Sequence, residues 1–99
     1  MFRMPALADS LPYLGISMRS LNDSPGMEIV AVNTESPAWH ATLKHGDILL
    51  EIEGQQVNKI EDYRAVIQRE VVQNGKQVLV FGVQRKGTFR KISVTFSHS

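Results

Sequence analysis

Five short runs of alternating or β-branched apolar residues, each bounded by Gly, Pro, Asn, Asp or Ser, constrain this chain more than any other feature. They are Ile16 to Leu21, Met27 to Val32, Asp47 to Glu53, Gln77 to Gln84 and Phe89 to Phe96. Side chains that alternate with period two, or branch at Cβ, suit a pleated surface, so each run is predicted to be a strand. Met27 to Val32 is apolar almost throughout, as a core strand covered on both faces would be. After it, Ser36-Pro37 starts a short helix over Ala38 to Leu43, because serine caps free N–H groups and proline at the first position sacrifices no hydrogen bond. Gly46 is predicted to close that helix in the left-handed conformation, with Lys44 and His45 near its negative end. Gly54-Gln55 is a tight turn into Gln56-Val57. From Asn58 or Lys59 to Val72 apolar residues recur at helical spacing, which places Tyr63, Val66, Ile67 and Glu70 or Val71 against the core. Asn74-Gly75 stops this longer helix. The last two runs, joined through Arg85-Lys86-Gly87-Thr88, form a hairpin in which Gly82 marks a close backbone approach or a bulge.

Ninety-nine residues supply one domain with a modest core. Residues 1–12 read as a linker, 13–96 as the domain and 97–99 as a tail; Met1 to Pro5 has the look of a piece excised from something longer, and a short natural protein would look the same. A formal charge of +1 argues against a general nucleic-acid binder, which needs many phosphate contacts. Arg85, Lys86, Arg90 and Lys91 crowd the final hairpin and read as a solvated edge that discourages strand aggregation; nucleic acid or acidic lipid is the remote alternative. The absence of cysteine excludes disulfides, a thiol nucleophile and thiolate metal sites, without deciding the compartment. No apolar run approaches the roughly 20 residues of a membrane span, and no signal pattern opens the chain, so any targeting segment is expected outside it. His40, His45 and His98 read as surface histidines, with no metal or other cofactor implied. No Gly-x-Ser-x-Gly elbow is present and no catalytic triad is assigned, so this chain is not expected to be an enzyme by itself. Trp39 is left open between core and an exposed apolar contact to a neighbouring domain or subunit.

The stretch Leu11 to Met18 is where contact with another molecule is expected. Pro12 ends what precedes it, Gly15 permits torsions closed to other residues, and alternation leaves Leu14, Ile16 and Met18 on one face. Consecutive N–H groups gathered at such a bend form a nest that suits a carboxylate. Tyr13-Leu14-Gly15-Ile16 resembles the carboxylate-binding loop of PDZ domains. The series Ser36-Pro37-Ala38, Gly46-Asp47-Ile48 and Gly54 before Val57 is similar to further motifs of that family, in the same order. Thr42, where the family often has Gly, and Glu53, where Asn is common, depart from it at a helix end and a turn, and bear on loop geometry more than on fold. The final strand Phe89 to Phe96 closing the chain resembles the permuted order of HtrA-type serine proteases of bacteria and organelles.

The resemblance implies an α+β fold: a partly open antiparallel β-barrel or sandwich of five to six strands with one short and one long helix. It implies a module that recognises peptide C-termini with an apolar last residue, or exposed extended segments, by strand addition. The carboxylate would be held by the N–H groups of Leu14, Gly15 and Ile16. The ligand would run along Ile16, Ser17, Met18 and Arg19 beside Tyr13, and against Glu61, Ala65 and Gln68 of the long helix, with Arg64 at the rim. Arg19 would favour an acidic ligand residue. An HtrA-like serine protease domain of the same polypeptide is the implied host, with another protease or a non-catalytic scaffold as the alternative. Mitochondrion, periplasm, chloroplast or a secreted location follow only from that family. Phe96 to Ser99 is a candidate plug for the groove.

Overall fold

In the computed structural model, which describes residues 11–96, the five strand-forming runs become β1 (Ile16–Ser20), β2 (Met27–Val32), β3 (Ile48–Ile52), β5 (Val78–Arg85) and β6 (Thr88–Thr95), and Gln55–Gln56, expected as part of a turn, adds the two-residue strand β4. They join one antiparallel sheet in the order β1-β2-β3-β5-β6, with β4 paired to β3. The short helix α1 is Pro37–His40, and the longer α2 is Ile60–Ile67, prolonged by a wider π-wound segment over Gln68–Gln73. Linker positions 1–10 and the tail 97–99, including His98, lie outside the described residues.

The β5–β6 hairpin shows how local chemistry sets register. Lys86 and Gly87 stand at φ +51° and +82°, the paired left-handed torsions of the two-residue turn whose twist matches its strands. Pairing then runs unbroken from Arg85 opposite Thr88 to Val78 opposite Thr95. Leu79, Phe81 and Val83 of β5 and Val94 of β6 face the core and are fully buried. On the other face Gly82 is a close approach, as expected: a Cβ there would lie 2.6 Å from Glu51 and 2.8 Å from the Phe89 ring. Phe96 belongs to the core too, 1% exposed and packed on Phe81, so it is not available as a plug.

Some expectations are corrected. β2 is not covered on both faces: Met27 and Ile29 are buried, whereas Val30 and Ala31 are exposed, and the register with β1 skips Val30. A bulge there turns the strand and releases Val30 from the core. The first helix stops at Ala41 rather than Leu43, and the left-handed residue that ends it is Thr42, at φ +70°. Gly46, at φ +94°, serves the turn into β3, where its N–H donates to Ile29 O. Glu53 stands at φ +52°. The two departures from the family pattern therefore occupy left-handed positions where Gly and Asn are at ease. Glu53 compensates: its carboxylate accepts from Val80 N–H at 2.7 Å and from Lys76 Nζ at 3.1 Å, contacts a shorter Asn does not offer.

Arg85 is no solvated edge residue. Its guanidinium grips buried Asp47 through Nε at 2.8 Å and Nη2 at 2.7 Å, and Nη2 also donates to Thr42 O. Lys44 N–H donates to the same carboxylate at 2.9 Å. Burial pushes the Asp47 carboxyl up, but Arg85 and the Lys44 amide outweigh it and hold the group below its ordinary value. Asp47 thus ties the turn before β3 to the end of β5.

Candidate functional site

The loop preceding β1 is fixed from behind. Gly15 stands at φ +88°, and a Cβ on it would fall 2.2 Å from Ser36 Cβ and 2.5 Å from Ser36 Oγ, so glycine is required by torsion and by space. Ser36 itself is buried and caps α1 by accepting from Trp39 N–H at 3.1 Å. Leu14 O accepts from Ala38 N–H at 3.0 Å and Gly15 O from Asn33 N–H at 2.8 Å. The Tyr13 hydroxyl accepts from Asn33 Nδ2 at 2.8 Å. The loop carbonyls are thus consumed on the inner side, while among the described residues no turn or loop carbonyl takes up the N–H of Leu14 or Gly15.

β1 is an outer strand whose only strand partner among the described residues is β2, and α2 packs beside it. Because Gly15 O faces β2, strand alternation turns the main-chain groups of Ile16, and after it Met18, toward the open edge. Ile16 and Met18 side chains are half-buried against the core, Leu14 is 4% exposed, and Ser17 is exposed. Tyr13 is 60% exposed over the loop. Arg19 is also exposed, but it pairs with Glu28 directly opposite on β2, its Nε 2.7 Å from the carboxylate. On α2, Tyr63, Val66 and Ile67 are buried, as the helical spacing predicts, and Val71 is buried beyond them. Glu61, Arg64 and Ala65 are exposed and Gln68 half-buried; positions i, i+3, i+4 and i+7 place all of them on one other face. The winding widens at Gln68, which shifts the phase of the residues from Arg69 to Gln73 relative to that face.

Asn33 and Ser36 support this loop without being apparent as supports in the sequence. Ser36 is visible there only as a helix cap and Asn33 carries no signal of its own, because their roles behind the loop depend on residues brought near by the β1–β2 pairing. Two cavities, of about 400 Å³ beside α1 and about 390 Å³ beside Arg85, lie off the β1 edge. The capacity of that edge resides in outward hydrogen-bonding groups beside an apolar strip, the parts that strand addition needs. Among the described residues no His, Cys, Asp and Glu cluster is built to hold a metal ion, and no helix is long and apolar enough to cross a membrane.

Comparison with known proteins gives the same outline. The family model described as PDZ domain matches residues 12–96. The probable protease eep of Enterococcus faecalis is 34% identical over 68 residues, which make up 69% of this chain and 15% of that protein. The HtrA3 PDZ domain, solved bound to a phage-derived ligand (FGRWV), superposes with a TM-score of 0.74 at 18% identity, covering 87% of this chain and 85% of that one. The HtrA-type protease AlgW, solved with a decapeptide, superposes with a TM-score of 0.69 at 18% identity, covering 89% of this chain and 30% of that one. The chain therefore spans a small part of the curated relative that it matches.

Proposed function

Because this chain belongs to the PDZ domain family, we propose that it grips free, apolar C-termini of extended peptides by adding them as a strand to β1. One observation carries the reading: the outward main-chain groups of Ile16 and Met18 continue directly into the N–H groups of Leu14 and Gly15, which no turn or loop carbonyl takes up among the described residues. The ligand carboxylate lies in the nest of Leu14, Gly15 and Ile16 N–H groups, and its last side chain enters the strip made by Leu14, Ile16 and Met18. Ala65, small and exposed, leaves room opposite that strip, while Glu61, Arg64 and Gln68 meet upstream ligand groups. Arg19, held by Glu28, acts as a structural pair first.

The host is a protease for which this module selects substrates. Likeness to HtrA-type structures supports the HtrA-like reading, and the 34% identity with the probable protease eep favours a different protease as the second one. A Gly-Asn-Ser-Gly-Gly motif upstream in the parent reading frame decides for the first. The ligand chemistry is tested by calorimetry with FGRWV and its C-terminal amide. Charge-assisted bonds to the carboxylate contribute about 1.5–3 kcal/mol, so the amide binds at least about tenfold more weakly. Ile16→Asp abolishes binding while the far-UV spectrum is retained. Equal affinity of acid and amide refutes the carboxylate nest.

A further inference from the structure

β6 is the other outer strand, and its outer edge, which no strand covers among the described residues, meets a cavity that the β1 groove does not use. The hairpin fixes its hydrogen-bonding phase. In a two-residue hairpin the closing pair, here Arg85 and Thr88, exchanges both main-chain bonds, and bonded and non-bonded pairs then alternate. Thr88, Arg90, Ile92 and Val94 therefore bond to β5, and Phe96 keeps the phase by donating to Gln77 O at 2.7 Å. The main-chain groups of Phe89, Lys91, Ser93 and Thr95 point away from β5. Among the described residues no turn or loop carbonyl takes up their N–H groups. Ser93 and Thr95 also line the cavity of about 400 Å³, opposite Glu35, Pro37, His40 and Ala41. Outward amides beside a helix-walled cleft repeat, on the far edge of the sheet, the arrangement of β1 with α2.

We propose that this cleft is a second strand-addition site, independent of the first, which takes an extended internal segment of another protein with acidic residues at its C-terminal end. Charge selects the occupant. Arg90 and Lys91 precede the cleft on β6 and Lys86 sits in the turn; among the described residues none of the three is in an ion pair. A segment antiparallel to β6 starts in the cleft at Thr95 and Ser93 and carries its C-terminal end over Lys91 and Arg90. Glu35 in the cleft wall disfavours acid at the other end. A second copy paired through Lys91 sets like charges opposite one another, which favours a foreign segment over a homodimer.

The test titrates the full-length, isotope-labelled chain with acetyl-Thr-Val-Thr-Val-Glu-Asp-amide, whose blocked ends keep it off a carboxylate nest. Expected are amide shifts and slowed exchange at Lys91, Ser93 and Thr95, with Ile16 and Met18 unmoved. Lys91→Glu weakens binding about fivefold, the scale of one exposed ion pair, and leaves FGRWV affinity unchanged. Ser93→Pro removes an outward N–H and no bond to β5, and abolishes binding; should it fail to fold, Lys91→Glu still decides. Shifts confined to β1, indifference to Lys91→Glu, or no response up to about 1 mM peptide overturn the proposal. Protection of the same amides that grows with protein concentration alone assigns the edge to a second copy, and overturns it as well.

Discussion

Gly15→Ala isolates what holds the candidate carboxylate loop in shape. The substitution meets two penalties. Left-handed torsion at φ +88° costs an L-residue about 1–2 kcal/mol. The new methyl also arrives 2.2 Å from Ser36 Cβ, in a buried contact with no slack, and overpacking of this kind costs a further 1–3 kcal/mol or so. The total, about 2–5 kcal/mol, is a large share of the 5–15 kcal/mol typical of a domain. Gly54→Ala is the internal control, because Gly54 has a similar φ of +79° and nothing within 4 Å of its missing Cβ. It should lose only the torsional part, about 1–2 kcal/mol. Urea melts of both variants give the packing contribution by difference. Ser36→Gly removes the obstructing atoms at the cost of a few tenths of a kcal/mol in capping, so the double variant Gly15→Ala with Ser36→Gly recovers about 1–2 kcal/mol relative to additivity. FGRWV binding is measured in parallel: Gly15→Ala weakens it and the double variant restores part of it. Equal losses at Gly15 and Gly54, or strict additivity of Gly15 with Ser36, refute the claim that Ser36 backs the loop.

Asp47→Asn should cost about 2 kcal/mol at pH 7, below the roughly 3–5 kcal/mol of a fully buried pair because Arg85 is partly exposed. The Asp47 carboxyl lies below its reference value of 3.8 in the folded state, so the unfolded chain binds the proton first; its stabilisation is complete above that value and is lost as pH falls through the folded one. Urea melts from pH 7 down to 2 should therefore show a shallower acid limb in the Asn variant. Thr42→Gly relieves a β-branched residue at φ +70° and should raise stability by about 0.5–1 kcal/mol, since the torsional gain exceeds the entropy lost by glycine. Glu53→Asn suits the torsion yet forfeits the Val80 and Lys76 contacts, and should lower stability by about 1 kcal/mol in the same melts.

The strand runs, the capped start of α1, the core face of α2 and the Lys86-Gly87 hairpin were legible in the chain, because each is decided by residues within a few positions of one another. Period-two and helical spacing, Ser36 before Pro37, and glycine at left-handed turns act locally. The meeting of distant groups required the folded molecule. Arg85 looks like any exposed base until Asp47 stands opposite it, and Val30 is apolar enough for a core until a bulge turns it outward. Gly15 can be read as a turn residue, but that no side chain fits there comes only from Ser36 lying against it. Which edge amides stay unpaired is likewise settled by strand order and hydrogen-bonding phase: a strand's own residues specify that it pairs, while its neighbours decide which side is left open.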